Sequence, residues 1–420
     1  MRIGIIGAGA AGLTSAWMLE DEHNVTLFEK QNRLGGHAHS VQIDVEGEHV
    51  WVDVGAEFFS AKAFPHFVRL LSILGAETKA FPMTATLYST DHQNITMLPP
   101  LQNGKIVWSM LGPKQLANLL RFSRVLSCAK PLMDSRDTAT TLEEFVNDLN
   151  LTDAFKNDFL YPFLLSGWCL ELEDYKKFIA YDVLQFVYNH KPAGLRSVPW
   201  LEVTGCMQAY VQKLVAAISK AGIETSADIV QLSLADDVFT VRLANGKIFE
   251  FDQVIIATSA ADAKILLSEM RQTTDIQKIL GQVEYFKTKI AVHGDRRLMP
   301  ANKKHWSVVN MRHDGRHAHT SIWKPWRCRV PVFRSWITFE KEMPQNIYAL
   351  AEFDHPKTNA KYFKAQHKLA DKQGSQGLWF AGMHTHDVET HESAIISAIK
   401  VAQKLAPTSS RLKLLQEIDR

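Results

Sequence analysis

One stretch at the N-terminus restricts what the chain can fold into more than any other part of it. Residues 1–36 read MRIGIIGAGAAGLTSAWMLEDEHNVTLFEKQNRLGG. Ile3, Ile5 and Ile6 make the short apolar run of a buried parallel strand, and the apolar spacing from Leu13 to Leu19 is that of a helix. Between them lie Gly7, Ala8, Gly9, Ala10, Ala11 and Gly12. In such a strand-turn-helix the first glycine allows the tight turn, the second lets the backbone approach a pyrophosphate, and the third lets helix and strand pack closely. The helix start then points the free N–H groups of Ala10 and Ala11 toward an anion. A second strand, Val25 to Phe28, ends at Glu29, with Lys30 next to it. A carboxylate there accepts hydrogen bonds from the hydroxyls of an adenosine ribose and favours a ribose without a phosphate. The glycine pattern alone also occurs in packing turns; the strand, the helix and the acid around it point to a bound dinucleotide.

Arg33-Leu34-Gly35-Gly36 follows directly, and His37 comes next. With this second glycine pair the stretch resembles the flavin-containing amine oxidase superfamily, which includes protoporphyrinogen oxidase-like and carotenoid desaturase-like enzymes. The resemblance implies non-covalent FAD held by Gly7, Gly9, Ala10, Ala11, Gly12, Glu29, Lys30, Arg33, Gly35, Gly36 and His37. Two alternating strands, Val41 to Val45 and His49 to Val54, lead into Asp53-Val54-Gly55-Ala56-Glu57. This segment is similar to an Asp-x-Gly stretch of the superfamily, which implies that Gly55, Ala56 and Glu57 lie beside the flavin ring; a plain hairpin end is the other reading. Trp200 to Met207 resembles the turn that re-enters the cofactor domain, with Cys206 in place of a glycine. By the same resemblance Ile229 lies against the adenine. The strand Gly377 to Gly382 and the helix opened by His391-Glu392-Ser393-Ala394 imply flavin contacts from Gly382, Met383, Glu392, Ser393 and Ala394.

The resemblance implies an α/β chain: a Rossmann-like FAD-binding domain of the glutathione reductase type, with a second α+β substrate domain that carries a helical insert. The FAD-binding domain is expected over 1–62, 199–282 and 373–408, the substrate domain over 63–198 and 283–372, and a C-terminal tail over 409–420. Helical spacing over Lys114–Leu126, Leu142–Leu149 and Asp153–Leu165, with Thr141 and Glu144 as a capping box, marks the insert. Its aromatic residues Phe155, Phe159, Tyr161, Phe163, Trp168, Tyr181 and Phe186 either line a substrate channel or form ordinary core.

Composition narrows the partners. With a net charge of +2 the chain has no electrostatic case for nucleic acid, so a small-molecule substrate is expected. Cys128, Cys169, Cys206 and Cys328 have no paired spacing, which suggests neither zinc nor a disulfide framework and fits a reducing cytoplasm. No stretch reads as an integral membrane segment, and glycines interrupt the apolar N-terminus that mimics a signal sequence. Oligomeric state is not legible.

For catalysis the resemblance implies a lysine that holds a water near flavin N5, which falls on Lys289 with Lys287 as its competitor. His384, His386 and His391 crowd one loop with Asp387 and Glu389, as a polar wall, an acid/base pair based on His384 or His386, or a metal site; no metal is expected. Two residues depart from the amine oxidase pattern. Thr390 occupies a position that carries an aromatic residue of the amine cage, and His37 stands where an arginine meets the pyrophosphate. His293 to Pro300 resembles a segment of bacterial FAD-binding oxidoreductases. The expected activity is hydride transfer from a small organic substrate, an amine or an apolar lipid-like molecule, to flavin N5. A flavin-dependent desaturase or isomerase of an unsaturated lipid, or a non-catalytic dinucleotide-binding scaffold, remains open.

Overall fold

The computed structural model describes residues 1–92, 94–102, 104–191 and 198–418. At its centre is a parallel sheet of five strands in the order Gly222–Glu224, Asn24–Phe28, Arg2–Ile6, Gln253–Ile256, Leu378–Phe380. Ile5 sits in register between Leu27 and Ile255, and all three are fully buried. Burial on both faces explains why this strand reads as a continuous apolar run rather than an alternating one. The helix Ala10–Leu19 is buried at every position, and it packs along the helix His391–Leu405. A helix enclosed on all sides has no polar face to present, hence its unbroken small and apolar sequence.

A second, mixed sheet runs Ile347–Pro356, Tyr285–His293, Phe333–Trp336, Ala318–Trp323, Val309–His313, Ala85–Ser89, Thr96–Leu98. All its pairings are antiparallel except that between Val309–His313 and Ala85–Ser89. The hairpin Ser40–Val45 and Glu48–Asp53 packs Ile43, Val45, Val50 and Val52 against Ile290, Val292 and Phe353 of this sheet. Farther along, Leu87, Met311 and Ala318 are covered by helices that include Leu142–Asp148 and Ala180–Asn189. The Thr141–Glu144 capping box is formed as expected.

Several expectations shift. The helix after Cys206 runs Met207–Ala217, so it starts three residues before Tyr210 and stops four before Ala221. It ends where the backbone of Ser219, Lys220 and Ala221 turns to donate to the Glu20 carboxylate. Within the expected tail at 409–420, the described residues include a helix, Ser410–Gln416, capped by Ser409, with Leu412 and Leu415 in the core. Of the insert's aromatic residues, Phe155, Phe159 and Phe163 stack on one another at 5.3 and 5.8 Å between ring centres, as packed core. Phe186 is exposed.

Candidate functional site

Three glycine-containing segments converge at the C-terminal end of Arg2–Ile6. Gly7 has φ +103°, and a Cβ on Gly12 would lie 1.9 Å from the Gly7 carbonyl oxygen, so a side chain fits at neither. A Cβ on Gly9 would meet nothing nearer than the Gly36 Cα at 4.0 Å, which leaves open space above the loop. Gly35 and Gly36, at φ +111° and +57°, lie beside this loop, and the Gly35 amide donates to the Ala8 carbonyl at 2.8 Å. Arg33 supports the pair by donating to the Gly36 carbonyl at 2.9 Å. Gly55 closes the third side: a Cβ there would lie 2.0 Å from the His37 carbonyl oxygen, which accepts from the Ala56 amide at 2.9 Å. Glu29 accepts from the Ala8 amide through Oε2 and from the Gln31 amide through Oε1, each at 2.9 Å. The backbone from Glu224 to Ala227 pairs with residues 29–31, which brings Ile229 to the same edge. Lys30, next to Glu29, is exposed.

The helix Ala10–Leu19 begins with no side-chain cap and no acid in its first turn, although Ala10 and Ala11 are buried. Its first amides therefore face the open space over Gly9 without a protein partner from a cap, which is the arrangement an anion completes.

Around this loop lie buried polar groups. His37 packs at a tilt against Phe353 and His355, with ring centres 5.0 and 5.5 Å away. Burial, helped by the charge on His355, pushes His37 down to about 3, so the ring is neutral. His355 goes the other way. Burial opposes its protonation, but Glu389, whose Oε1 lies 2.7 Å from Nδ1, outweighs burial and holds the ring above its ordinary value. His37 Nε2, Glu389 Oε2 and His384 Nε2 are all covered and lack a hydrogen-bond partner. Buried polar atoms are rarely left so, and a bound polar molecule would satisfy them. Nearby, burial pushes the Asp182 carboxyl up to about 8 while it accepts from the Thr358 hydroxyl.

The C-terminal residues divide between roles. Gly382, at φ +133°, donates its amide to Ser397 Oγ, and Met383 packs on the core beside it. Thr390 caps the His391–Leu405 helix by accepting from the Ser393 amide, and Ala394 is buried beneath. The Glu392 carboxylate is spent elsewhere, accepting from the His66 and Phe67 amides at the start of the helix Pro65–Ile73. His384 is buried and held down to about 4 by that burial; His386 contacts Lys400 and His391 contacts the Tyr210 hydroxyl. His386 and His391 thus point to separate partners, while His384 Nε2 is enclosed without one. Among the described residues no group of His, Cys, Asp and Glu is arranged to hold a metal ion.

Lys289 is not brought to this site. Along Tyr285–His293 side chains alternate, and the face of Thr288, Ile290 and Val292 is the one paired with Phe353 and Arg334, against His37 and Gly55. Lys287 and Lys289 project from the other face, and Lys289 forms an exposed pair with Glu352 at 3.7 Å. Glu57, on the facing side, meets two cations that the sequence did not announce, Lys324 at 2.9 Å and Arg334 at 2.7 Å. Burial would raise its carboxyl, but these two charges bring it down to about 2. Lys324 also reaches Glu202, which Arg327 and the Trp326 indole share. Cys206 lies under this network at φ +69°, where glycine is at ease, and burial lifts its thiol to about 12.

The model of flavin containing amine oxidoreductases matches residues 10–327. The chain belongs to that family. For this family member FAD is the implied cofactor, and the uncapped helix start, the cradle at Gly9 and the unpaired His37 and Glu389 atoms fit it. An uncharacterized protein of Methanocaldococcus jannaschii is 24% identical over 224 residues, a match covering 52% of this chain and 50% of that one. The chain thus spans about half the length of that curated relative. A CLA-producing fatty acid isomerase from P. acnes shares the fold at a TM-score of 0.70, with 14% identity over 96% of this chain and 98% of that one. Cyclohexylamine oxidase from Brevibacterium oxydans does so at 0.67, with 13% identity over 96% and 99%. No helix among the described residues is long and apolar enough to cross a membrane.

Proposed function

We propose that the protein is a FAD-dependent oxidoreductase whose electron donor is an apolar, lipid-like molecule. The single observation that carries the flavin assignment is the open space over Gly9, in a loop flanked by Gly35 and Gly36, beside an uncapped helix start. In this reading the parallel sheet with its glycine loop is a Rossmann-like domain of the glutathione reductase type, built from residues 1–62, 199–282 and 373–408, and the mixed sheet with its helices is the substrate domain. FAD, when bound, supplies two-electron redox chemistry by accepting a hydride at N5.

The protein's share is binding, orientation and exclusion of water. Ala10 and Ala11 amides take the pyrophosphate, Glu29 the ribose, and Ile229 the adenine edge. Arg33 keeps Gly35 and Gly36 in place, and the neutral His37 offers a hydrogen bond rather than a charge. Gly55, Ala56, Gly382 and Met383 leave room for the ring, and the start of the His391–Leu405 helix favours negative charge near it. Glu57 is fully engaged by Lys324 and Arg334, so it offers an ammonium group no free carboxylate. Thr390, a helix cap, supplies no aromatic wall for an amine. That a fatty acid isomerase shares the fold supports an apolar donor. His384 and His386 remain candidates for moving a proton.

The test is to purify the yellow protein and add unsaturated fatty acids or primary amines without oxygen. Bleaching of the flavin band by the fatty acids and not by the amines is expected; bleaching by amines alone overturns the substrate assignment, and a colourless protein that refuses added FAD overturns the cofactor.

A further inference from the structure

Exposed apolar side chains are ordinary when scattered and informative when clustered. Of the fourteen large ones exposed among the described residues, five fall within residues 106–120: Ile106, Trp108, Leu111, Leu116 and Leu120. Trp108 is 75% exposed and Leu120 66%. They occupy one continuous piece of structure. The hairpin Leu101–Gln102 and Lys105–Ile106 leads through the short turn Trp108–Met110 into the helix Pro113–Cys128. The inner side of that helix is anchored: Phe122 packs on Phe159 and Phe163, and Val125 and Leu126 are buried. Leu116 and Leu120, four residues apart, therefore share the outer side, and Trp108 and Leu111 precede them in the chain. The insert's hydrophobic core is complete without them.

The charge around this surface is one-sided. From His92 to Met133 there is no Asp or Glu, while Lys105, Lys114, Arg121, Arg124 and Lys130 lie in the same stretch. For a chain with a net charge of only +2, that is a strong local excess. Arg121 lies over the Phe155 ring, Lys114 hydrogen-bonds the Asn94 amide oxygen, and Lys130 is paired with Asp134. Asp153, on the turn that carries Phe155, is taken by Lys156 at 2.8 Å. A tryptophan and leucines projecting from an anchored helix, with cations and no acids interleaved, is the pattern of an element that lies in a membrane interface.

We infer that residues 106–124 dock the protein on the surface of an anionic lipid bilayer. Trp108, Leu111, Leu116 and Leu120 enter the headgroup layer, and Lys105, Lys114, Arg121 and Arg124 meet lipid phosphates. The helix lies on the bilayer and does not cross it. This reading does not rest on the proposed substrate, because it concerns a surface outside the glycine cradle.

The experiment is co-sedimentation of the full-length flavoprotein with phosphatidylglycerol vesicles and with phosphatidylcholine vesicles, at low and high salt. Binding at least tenfold tighter to phosphatidylglycerol, weakened by salt, is expected. Leu116→Glu with Leu120→Glu, and separately Trp108→Ala, should abolish or sharply weaken it while circular dichroism and the flavin spectrum stay unchanged. Arg121→Glu with Arg124→Glu should remove the preference for the anionic lipid. Wild-type protein that stays in the supernatant with phosphatidylglycerol overturns the proposal, as does unaltered binding by the variants. So does a dimer of the wild type that the leucine substitutions dissociate, since a second copy would then occupy the surface.

Discussion

Arg334 donates from Nη2 to Glu57 Oε2 at 2.7 Å, across 277 residues of chain and out of contact with solvent. The bond ties the mixed sheet to the Asp53–Glu57 segment, the same segment that brings Gly55 against His37. It does so in company, because Lys324 joins Glu57 to Glu202.

Removing one member of a buried ion pair leaves its partner charged and poorly solvated, at a cost of about 3–5 kcal/mol. Arg334→Met should therefore lower the stability by roughly 3 kcal/mol, the low end because Lys324 remains. Urea unfolding measures this, and a loss under about 1 kcal/mol would mean that Arg334 contributes little beyond its packing. Glu57→Leu in the same background should recover part of the loss.

Acid should weaken the protein in two stages. His384 binds its proton near 4 in the fold and near 6.5 when unfolded, so the unfolded chain gains protons first and stability falls as pH drops from 6.5 toward 4. Glu57 has its folded value depressed to about 2 from 4.5, so its contribution is present above 4.5 and is lost as pH falls from there toward 2. A melting temperature that declines below pH 6.5 and drops further below 4.5 is expected. His384→Gln should lessen the upper part of the decline, to which His37, His386 and His391 also contribute, and leave the lower part.

Gly9 and Gly12 should fail differently on substitution by alanine. At Gly12 the new methyl collides with the Gly7 carbonyl, so Gly12→Ala should yield little folded protein. At Gly9 the methyl enters open space among protein atoms, so Gly9→Ala should fold with native circular dichroism yet bind FAD at least tenfold more weakly. Normal flavin content in Gly9→Ala would show that the space over the loop is not where the pyrophosphate sits.

Lys289→Met should leave anaerobic flavin reduction within about twofold of the wild type and stability within about 0.5 kcal/mol, because an exposed pair such as Lys289 with Glu352 contributes little. A fall of tenfold or more in the reduction rate would place the lysine at the flavin after all.

The loop at Gly7 to Gly12, the acid at Glu29 and the closing helix at His391 were legible in the sequence because each is local: turn chemistry and periodicity act within a few residues. The partners of those elements were not. Arg334 and Glu57, or His355 and Glu389, meet through tertiary packing of strand against loop that no local pattern encodes. Lys289 illustrates the same limit, since one position along a strand decides which face a side chain takes, and that register is set by the neighbouring strands. The aromatic residues of the insert are ambiguous in sequence for a related reason: Phe159 has the same spacing whether it faces a cavity or Phe155. Glu392 shows a residue whose motif position suggested the flavin while its carboxylate caps a different helix.

The central sheet takes its strands from residues 2–28, 222–256 and 378–380. On the ribosome, the strand that carries the glycine loop emerges before its partners and has Asn24–Phe28 as its sole early neighbour; its other flank waits for Gln253–Ile256, and the outer edge for Leu378–Phe380. Through most of translation that apolar edge is therefore open to pairing with other chains, and such long-range closure is slow. Yield of soluble protein should depend more on chaperone supply and growth temperature than on any surface property of the finished molecule.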